Sequence, residues 1–182
     1  MTLTLNCFLD VPATASSIGS GIRPLTLSAY SAIQSDTNSA ELYQTDMGTN
    51  VFPLPYGIFQ PAAYRTVERL NWITPIEDDW NESSMTAQIN ATIPTNQSNT
   101  STWLLYAVRV PDGGTLTTAI PLVATLTVTY VTAYKTYASA VSSQFDITGT
   151  GKTILWELKR GTVGDTLSIN ALFLNCKIVY GV

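Results

Sequence analysis

The stretch Met85-Thr-Ala-Gln-Ile-Asn-Ala-Thr-Ile93 decides the fold. Met85, Ala87, Ile89, Ala91 and Ile93 alternate with Thr86, Gln88, Asn90 and Thr92. Successive side chains of a strand point to opposite faces, so this period of two predicts a strand with one face in a core and one in water. Working outward, related patterns recur. Residues 102–110 carry Trp103, Leu105 and Ala107 on one face and Leu104, Tyr106 and Val108 on the other. With both faces apolar, this strand is expected to be central, or covered on its second side by a partner. Residues 120–133 set Leu122, Ala124, Leu126, Val128 and Tyr130 against Thr125, Thr127 and Thr129. Residues 154–160 place Ile154, Trp156 and Leu158 inward and Glu157 and Lys159 outward. Residues 66–74, with Val67, Leu70, Trp72 and Ile73, and the short piece 145–148 also read as strands. Residues 167–180 carry Leu172, Leu174, Cys176, Ile178 and Tyr180 in step. Pro111-Asp-Gly-Gly and Gly161-Thr-Val-Gly-Asp mark turns between them. Seven or eight short strands predict an all-β chain, an antiparallel β-sandwich or jelly roll.

Upstream the pattern changes. Residues 2–9 alternate and predict a strand, but residues 11–61 are rich in Ser, Ala, Gly and Pro with weak periodicity. Two regions are expected: 1–61, an N-terminal strand and an extended, irregular arm, and 62–182, the sandwich. Residues 28–42 have room for a helical turn or two. Within the arm, Val51-Phe-Pro-Leu-Pro-Tyr-Gly-Ile-Phe-Gln-Pro61 spaces aromatics between prolines. Proline favours extended backbone and removes donors, while the aromatics seek burial. Phe52, Pro53, Tyr56 and Phe59 are therefore candidate contacts, on the protein's own domain or on a neighbour.

Composition narrows the function. Charged residues make up 12% of the 182, about half the usual share of ~25%. The polar surface must come from Ser, Thr, Asn and Gln, which suits contact with protein or carbohydrate. Nine basic residues and a net charge of −4 do not suit nucleic acid, which needs clustered Lys and Arg to displace counterions. No run of about 18 apolar residues exists to span a membrane, and no basic, apolar leader is read at the N-terminus. The Asn-x-Ser/Thr triplets at Asn81, Asn90, Asn96 and Asn99 then read as accidents of an Asn- and Thr-rich chain. Cys7 and Cys176 read as small buried thiols; a disulfide would need the first and last strands to be neighbours.

Motifs for chemistry are sparse. With no His there is no Ser–His or Cys–His pair and no imidazole metal ligand. The protein is expected not to be an enzyme and to hold no cofactor. Gly149-Thr-Gly-Lys-Thr153 looks like the end of a phosphate-binding loop, but the first Gly of that pattern would fall on Asp146. The alternating Ile154-Leu-Trp-Glu-Leu follows where a helix is needed. A glycine hairpin turn is expected instead. Glu77, Asp78, Asp79 and Glu82 read as a solvated acidic loop, with a structural cation as the alternative. Trp80, in this polar loop, is a candidate contact residue, and so is Leu104 on the second face of its strand.

Several of these segments together resemble the β-sandwich domains of virion proteins of tailed bacteriophages. The likeness lies in Asp78-Asp79-Trp80-Asn81 before the strand at 85–93, in the strand at 103–108, and in Ile147-Thr-Gly-Thr-Gly-Lys-Thr. It continues through Leu158-Lys-Arg160, Gly164-Asp165-Thr166 and a Leu-rich last strand ending at Tyr180. Gly161 stands where that family often has Asp. The likeness covers residues 66–182 and implies a virion component, plausible as a homotrimer, with no catalytic residues. The expected function is a capsid decoration, or cement, protein on the capsid surface, bound to the major capsid protein and neighbouring subunits. No heptad or long β repeat of a fibre shaft is present. The alternative is a receptor-binding tail or fibre-head module that recognises host surface glycans through exposed aromatics such as Trp80.

Overall fold

The computed structural model describes residues 21–33, 40–45, 54–61, 68–76, 80–82, 84–111, 113 and 119–181. Two antiparallel sheets pack face to face. One carries β1 (Ile22–Ser28), β2 (Glu41–Thr45), β3 (Leu54–Phe59), β5 (Thr86–Thr92), β8 (Tyr137–Ala138) and β10 (Ala171–Gly181). Its order is β2-β3-β10-β5-β8, and β1 lies against the same edge of β10 as β3, further along the strand. The other is β4 (Arg69–Pro75), β9 (Thr153–Arg160), β6 (Thr100–Val110) and β7 (Leu122–Thr129), in the order β4-β9-β6-β7. The expected all-β sandwich is the fold.

The alternation at residues 85–93 is the inner face of β5: Met85, Ala87, Ile89, Ala91 and Ile93 are all buried. Facing them, β6 contributes Trp103, Leu105 and Ala107, and β9 contributes Ile154, Trp156 and Leu158. At the centre Phe59, Trp103, Phe173 and Trp72 form one aromatic cluster. Its Phe59–Trp103 edge-on pair is 4.9 Å between centroids, and Trp72–Phe173 is 5.7 Å. Such offset and edge-on pairs add to the burial of large rings. Trp72 Nε1 donates to the Ser28 carbonyl, and outside this cluster Trp156 Nε1 donates to Thr74 Oγ1, each at 2.9 Å.

The described residues of the stretch 11–61, expected as an irregular arm, include three strands of the six-stranded sheet. Among its described residues the one helical piece is the 3₁₀ turn Ala29–Ser31, capped by Ser28. Gly57 explains part of the weak patterning. A Cβ there would come 2.7 Å from Leu70 Cδ1 of the facing sheet, so a strand residue is spent on close approach. The strand expected at 2–9 lies outside the described residues.

Two strands depart from strict alternation, each at a bulge. The register of β10 shifts between Phe173 and Asn175. Ala171, Phe173, Cys176, Ile178 and Tyr180 therefore face the core, while Leu172 and Leu174 join Tyr56 and Ile58 in a separate cluster. An extra residue in one strand flips everything beyond it to the other face. In β7 the shift opposite Leu105 and Tyr106 turns Leu122 outward, where it is half exposed. The piece expected as a strand at 145–148 is a single bridge, Met85 to Phe145. The Gly149–Thr153 turn is no hairpin: the chain leaves that bridge in one sheet and enters β9 in the other. Its glycines have φ of +106° and +112°, and a Cβ at Gly151 would lie 2.0 Å from the Val110 carbonyl oxygen. The loop is shaped to cross the end of β6, and a strand follows it.

Candidate binding cleft

The contact residues expected from sequence do not share one surface. Phe52 and Pro53 lie outside the described residues. Tyr56 is packed against Leu172 in the small cluster outside the main core. Phe59 is fully buried between Trp103 and Phe173, and so is a core residue. Leu104 is half-buried on the outer face of the four-stranded sheet, opposite Thr125 on β7 and Lys159 on β9. That face is mixed: Glu157 pairs with Arg69 at 3.3 Å and with Lys159 at 2.5 Å, and the Lys159 ammonium sits 4.4 Å from the Tyr106 ring centre.

Trp80 is clamped. It packs against the core beside Leu25, Met85 and Tyr180, and Arg109 covers its ring at 5.2 Å. Arg109 also pairs with Glu82 at 2.9 Å and donates from Nε to the Gly151 carbonyl at 3.1 Å. Of the acidic cluster, Glu77, Asp78 and Asp79 lie outside the described residues, and Glu82 makes the pair just named. Among the described residues no three of His, Cys, Asp and Glu gather as a metal site. Cys176 is buried, and burial pushes its thiol up to about 12. Cys7 lies outside the described residues. Among the described residues no helix is long and apolar enough to cross a membrane.

A different place is concave. At one end of the sandwich an open cleft of about 440 Å³ is lined by Gln60, Pro61, Pro94, Thr95, Ser168, Ile169 and Asn170. These residues come from three loops: after β3, after β5 and before β10. Every polar side chain among them is a neutral amide or hydroxyl.

Arg160, at the end of β9, holds two of the three loops. Its guanidinium meets Asp165 as a fork, Nε to Oδ2 at 2.7 Å and Nη2 to Oδ1 at 2.8 Å. Nη1 donates to the carbonyls of Phe59 at 3.1 Å and Ile169 at 2.9 Å, and Nη2 donates to the Leu167 carbonyl. All five N–H groups are thus used, which is the condition under which a buried guanidinium is tolerated. Phe59 and Leu167 immediately precede Gln60 and Ser168, so one side chain sets both walls. The Gln60 amide also donates to Glu68 Oε2 at 2.5 Å.

The third loop is tied in separately. Gln97 Nε2 donates to Ser168 Oγ at 2.7 Å. The segment after β7 holds the other side: Tyr134 N donates to the Ile93 carbonyl at 2.9 Å and Ala133 N to Asn96 Oδ1 at 2.7 Å. Thr132 N donates to the Tyr137 hydroxyl oxygen at 2.7 Å, which holds that phenol below its usual range. No local sequence signal marks this site, because its walls are 34 to 110 residues apart (60 to 94, and 60 to 170) and each is an ordinary polar loop.

No protein-family model and no curated protein matches this sequence. Among solved structures, it is similar to the CBM36-1 domain of a multidomain xylanase from the hindgut metagenome of Trinervitermes trinervoides. That likeness has a TM-score of 0.50 at 9% identity and covers 88% of this chain and 98% of that one. A carbohydrate-binding module CBM36 in complex with calcium and xylotriose aligns with a TM-score of 0.47 at 8% identity, over 87% of this chain and 99% of that one. At such identity the first likeness is one of fold: a two-sheet antiparallel β-sandwich.

Proposed function

We propose that this protein is a non-catalytic β-sandwich binding module that recognises glycans through the cleft at the end of the sandwich. The cleft carries the reading. Its polar groups, on Gln60, Thr95, Ser168 and Asn170, are uncharged donors and acceptors, the chemistry that matches sugar hydroxyls. Its volume is that of a small-ligand site, and its loops are held in place rather than left to be ordered on binding, two by the Arg160 guanidinium and the third by the bonds from Gln97, Ala133 and Tyr134. A module of the same fold is named a carbohydrate-binding module, which fits this reading without carrying it. The resemblance to phage sandwiches fits recognition of host surface glycans by a tail or fibre head. Screening the protein on a glycan array, beside Asn170→Ala, tests the proposal. Binding that weakens by about fivefold or more in the variant supports it. Absence of binding to any glycan overturns it.

A second reading is decoration of a capsid shell by a homotrimer. The outer face of the four-stranded sheet favours it, with Leu104 half-buried and Ile73 and Leu122 56% and 50% exposed. A sister copy over that face would make Leu104→Asp dissociate the oligomer. Native mass measurement of both proteins decides this, and co-sedimentation with empty capsids tests the partner.

A further inference from the structure

We infer that Tyr134 is the aromatic contact of the cleft, a platform for a ligand ring at its rim; this rests on the glycan-binding reading. Three observations meet at this residue. Its side chain is 53% exposed, although a tyrosine of a stable fold gains by burying its ring. Its φ is +57°, a left-handed conformation that a side chain with a Cβ rarely takes and that costs free energy wherever it is held. And the backbone of this turn is tied to the loop that walls the cleft: Tyr134 N bonds to the carbonyl of Ile93, the residue before Pro94. Ala133 N bonds to Asn96 Oδ1, just beyond Thr95. Pro94 and Thr95 are the cleft wall.

Glycine would satisfy this turn without strain, and asparagine nearly so. A tyrosine there loses stability and leaves its ring in water, which is expected of a residue kept for contact and not for folding. The contrast with Trp80 is instructive. Trp80 lies against the core with its ring face covered by Arg109, whereas Tyr134 is held rigidly by its backbone and exposes its side chain.

The test exploits opposite signs. Tyr134→Gly and Tyr134→Phe are compared with the parent for melting temperature and for affinity to soluble neutral polysaccharides (a glucan, a mannan and a xylan) in affinity electrophoresis. Tyr134→Gly is expected to keep or raise the Tm, by up to about 2–4 °C, and to weaken binding by about fivefold or more. Tyr134→Phe is expected to bind within about twofold of the parent, since the ring and not the hydroxyl makes the contact. Parent-like binding by Tyr134→Gly overturns the inference and leaves the glycan-binding reading standing. A Tm that falls in Tyr134→Gly also overturns it, because the ring would then be a folding element. If the parent binds none of the three polysaccharides and no glycan on an array, the underlying reading fails and this inference with it.

Discussion

Arg160 and Asp165, five residues apart, close a doubly hydrogen-bonded ion pair whose side chains are only 2% and 3% exposed. The loop between them turns at Gly164, with φ of +77°, and Asp165 also accepts from the amides of Leu167 at 3.0 Å and Thr102 at 3.3 Å. The pair is the joint between the four-stranded sheet and the cleft loops. Removing one partner leaves the other charged and buried. Asp165→Ala is expected to destabilise by about 3–5 kcal/mol, measured by denaturant unfolding. Arg160→Lys keeps the charge but loses the fork and the carbonyl contacts, so amide hydrogen exchange should speed up together at Gln60 and at Ile169. Exchange that rises on one wall alone would contradict a shared joint.

Two glycines with positive φ, Gly151 and Gly113, separate strain from space. Gly151→Ala would drive a Cβ into the Val110 carbonyl, 2.0 Å away, and the atom it meets is backbone that cannot swing aside. A loss of roughly 2–4 kcal/mol is expected. Gly113 has φ of +70° but nothing within 4 Å of a new Cβ, so Gly113→Ala should cost only about 1 kcal/mol. The midpoints of urea unfolding check both; equal losses would mean that β6 does not end against this loop as described.

Stability is expected to fall in alkali. Burial raises the Cys176 thiol from 9.0 to about 12 and the Tyr130 phenol from 10.0 to about 12, the latter against the opposing hydrogen bond from Ser101. Both groups are neutral in the fold and ionise earlier in the unfolded chain. Their contribution is therefore complete below pH 9 and is lost progressively as the pH rises toward 12. Each costs about 1.4 kcal/mol per pH unit within its window. Cys176→Ala should remove the loss that begins near pH 9 and leave the one that begins near pH 10. A melting temperature unchanged between those values and pH 11 would refute the burial of both groups.

The sandwich was legible where alternation is unbroken, as at Met85 to Ile93 and at Ile154, Trp156 and Leu158, because burial of one sheet face writes a period of two into the chain. It was less legible in β10 and β7, where one extra residue at Leu174 and one opposite Tyr106 reverse the phase. It was hidden in β1 to β3. Edge strand β1 carries exposed Ile22, Arg23 and Pro24, and β3 uses Gly57 to let Leu70 approach, so neither shows the alternating signature. The cleft was not legible at all. Gln60, Thr95 and Ser168 become neighbours only through the strand order and the reach of Arg160, and the left-handed turn at Tyr134 follows from hydrogen bonds to a loop some 40 residues earlier. Aromatic residues in polar or proline-rich segments, Trp80 and Phe59, drew attention instead, and the fold places both against its core.

Backbone amide chemical shifts, followed while a glycan that the protein retains is titrated in, test the account most directly. Saturable shifts are expected at Gln60, Thr95, Ser168, Asn170 and Tyr134, with Leu104 and Lys159 on the outer sheet face unmoved. Shifts centred on that outer face, or none on addition of any glycan, would contradict it.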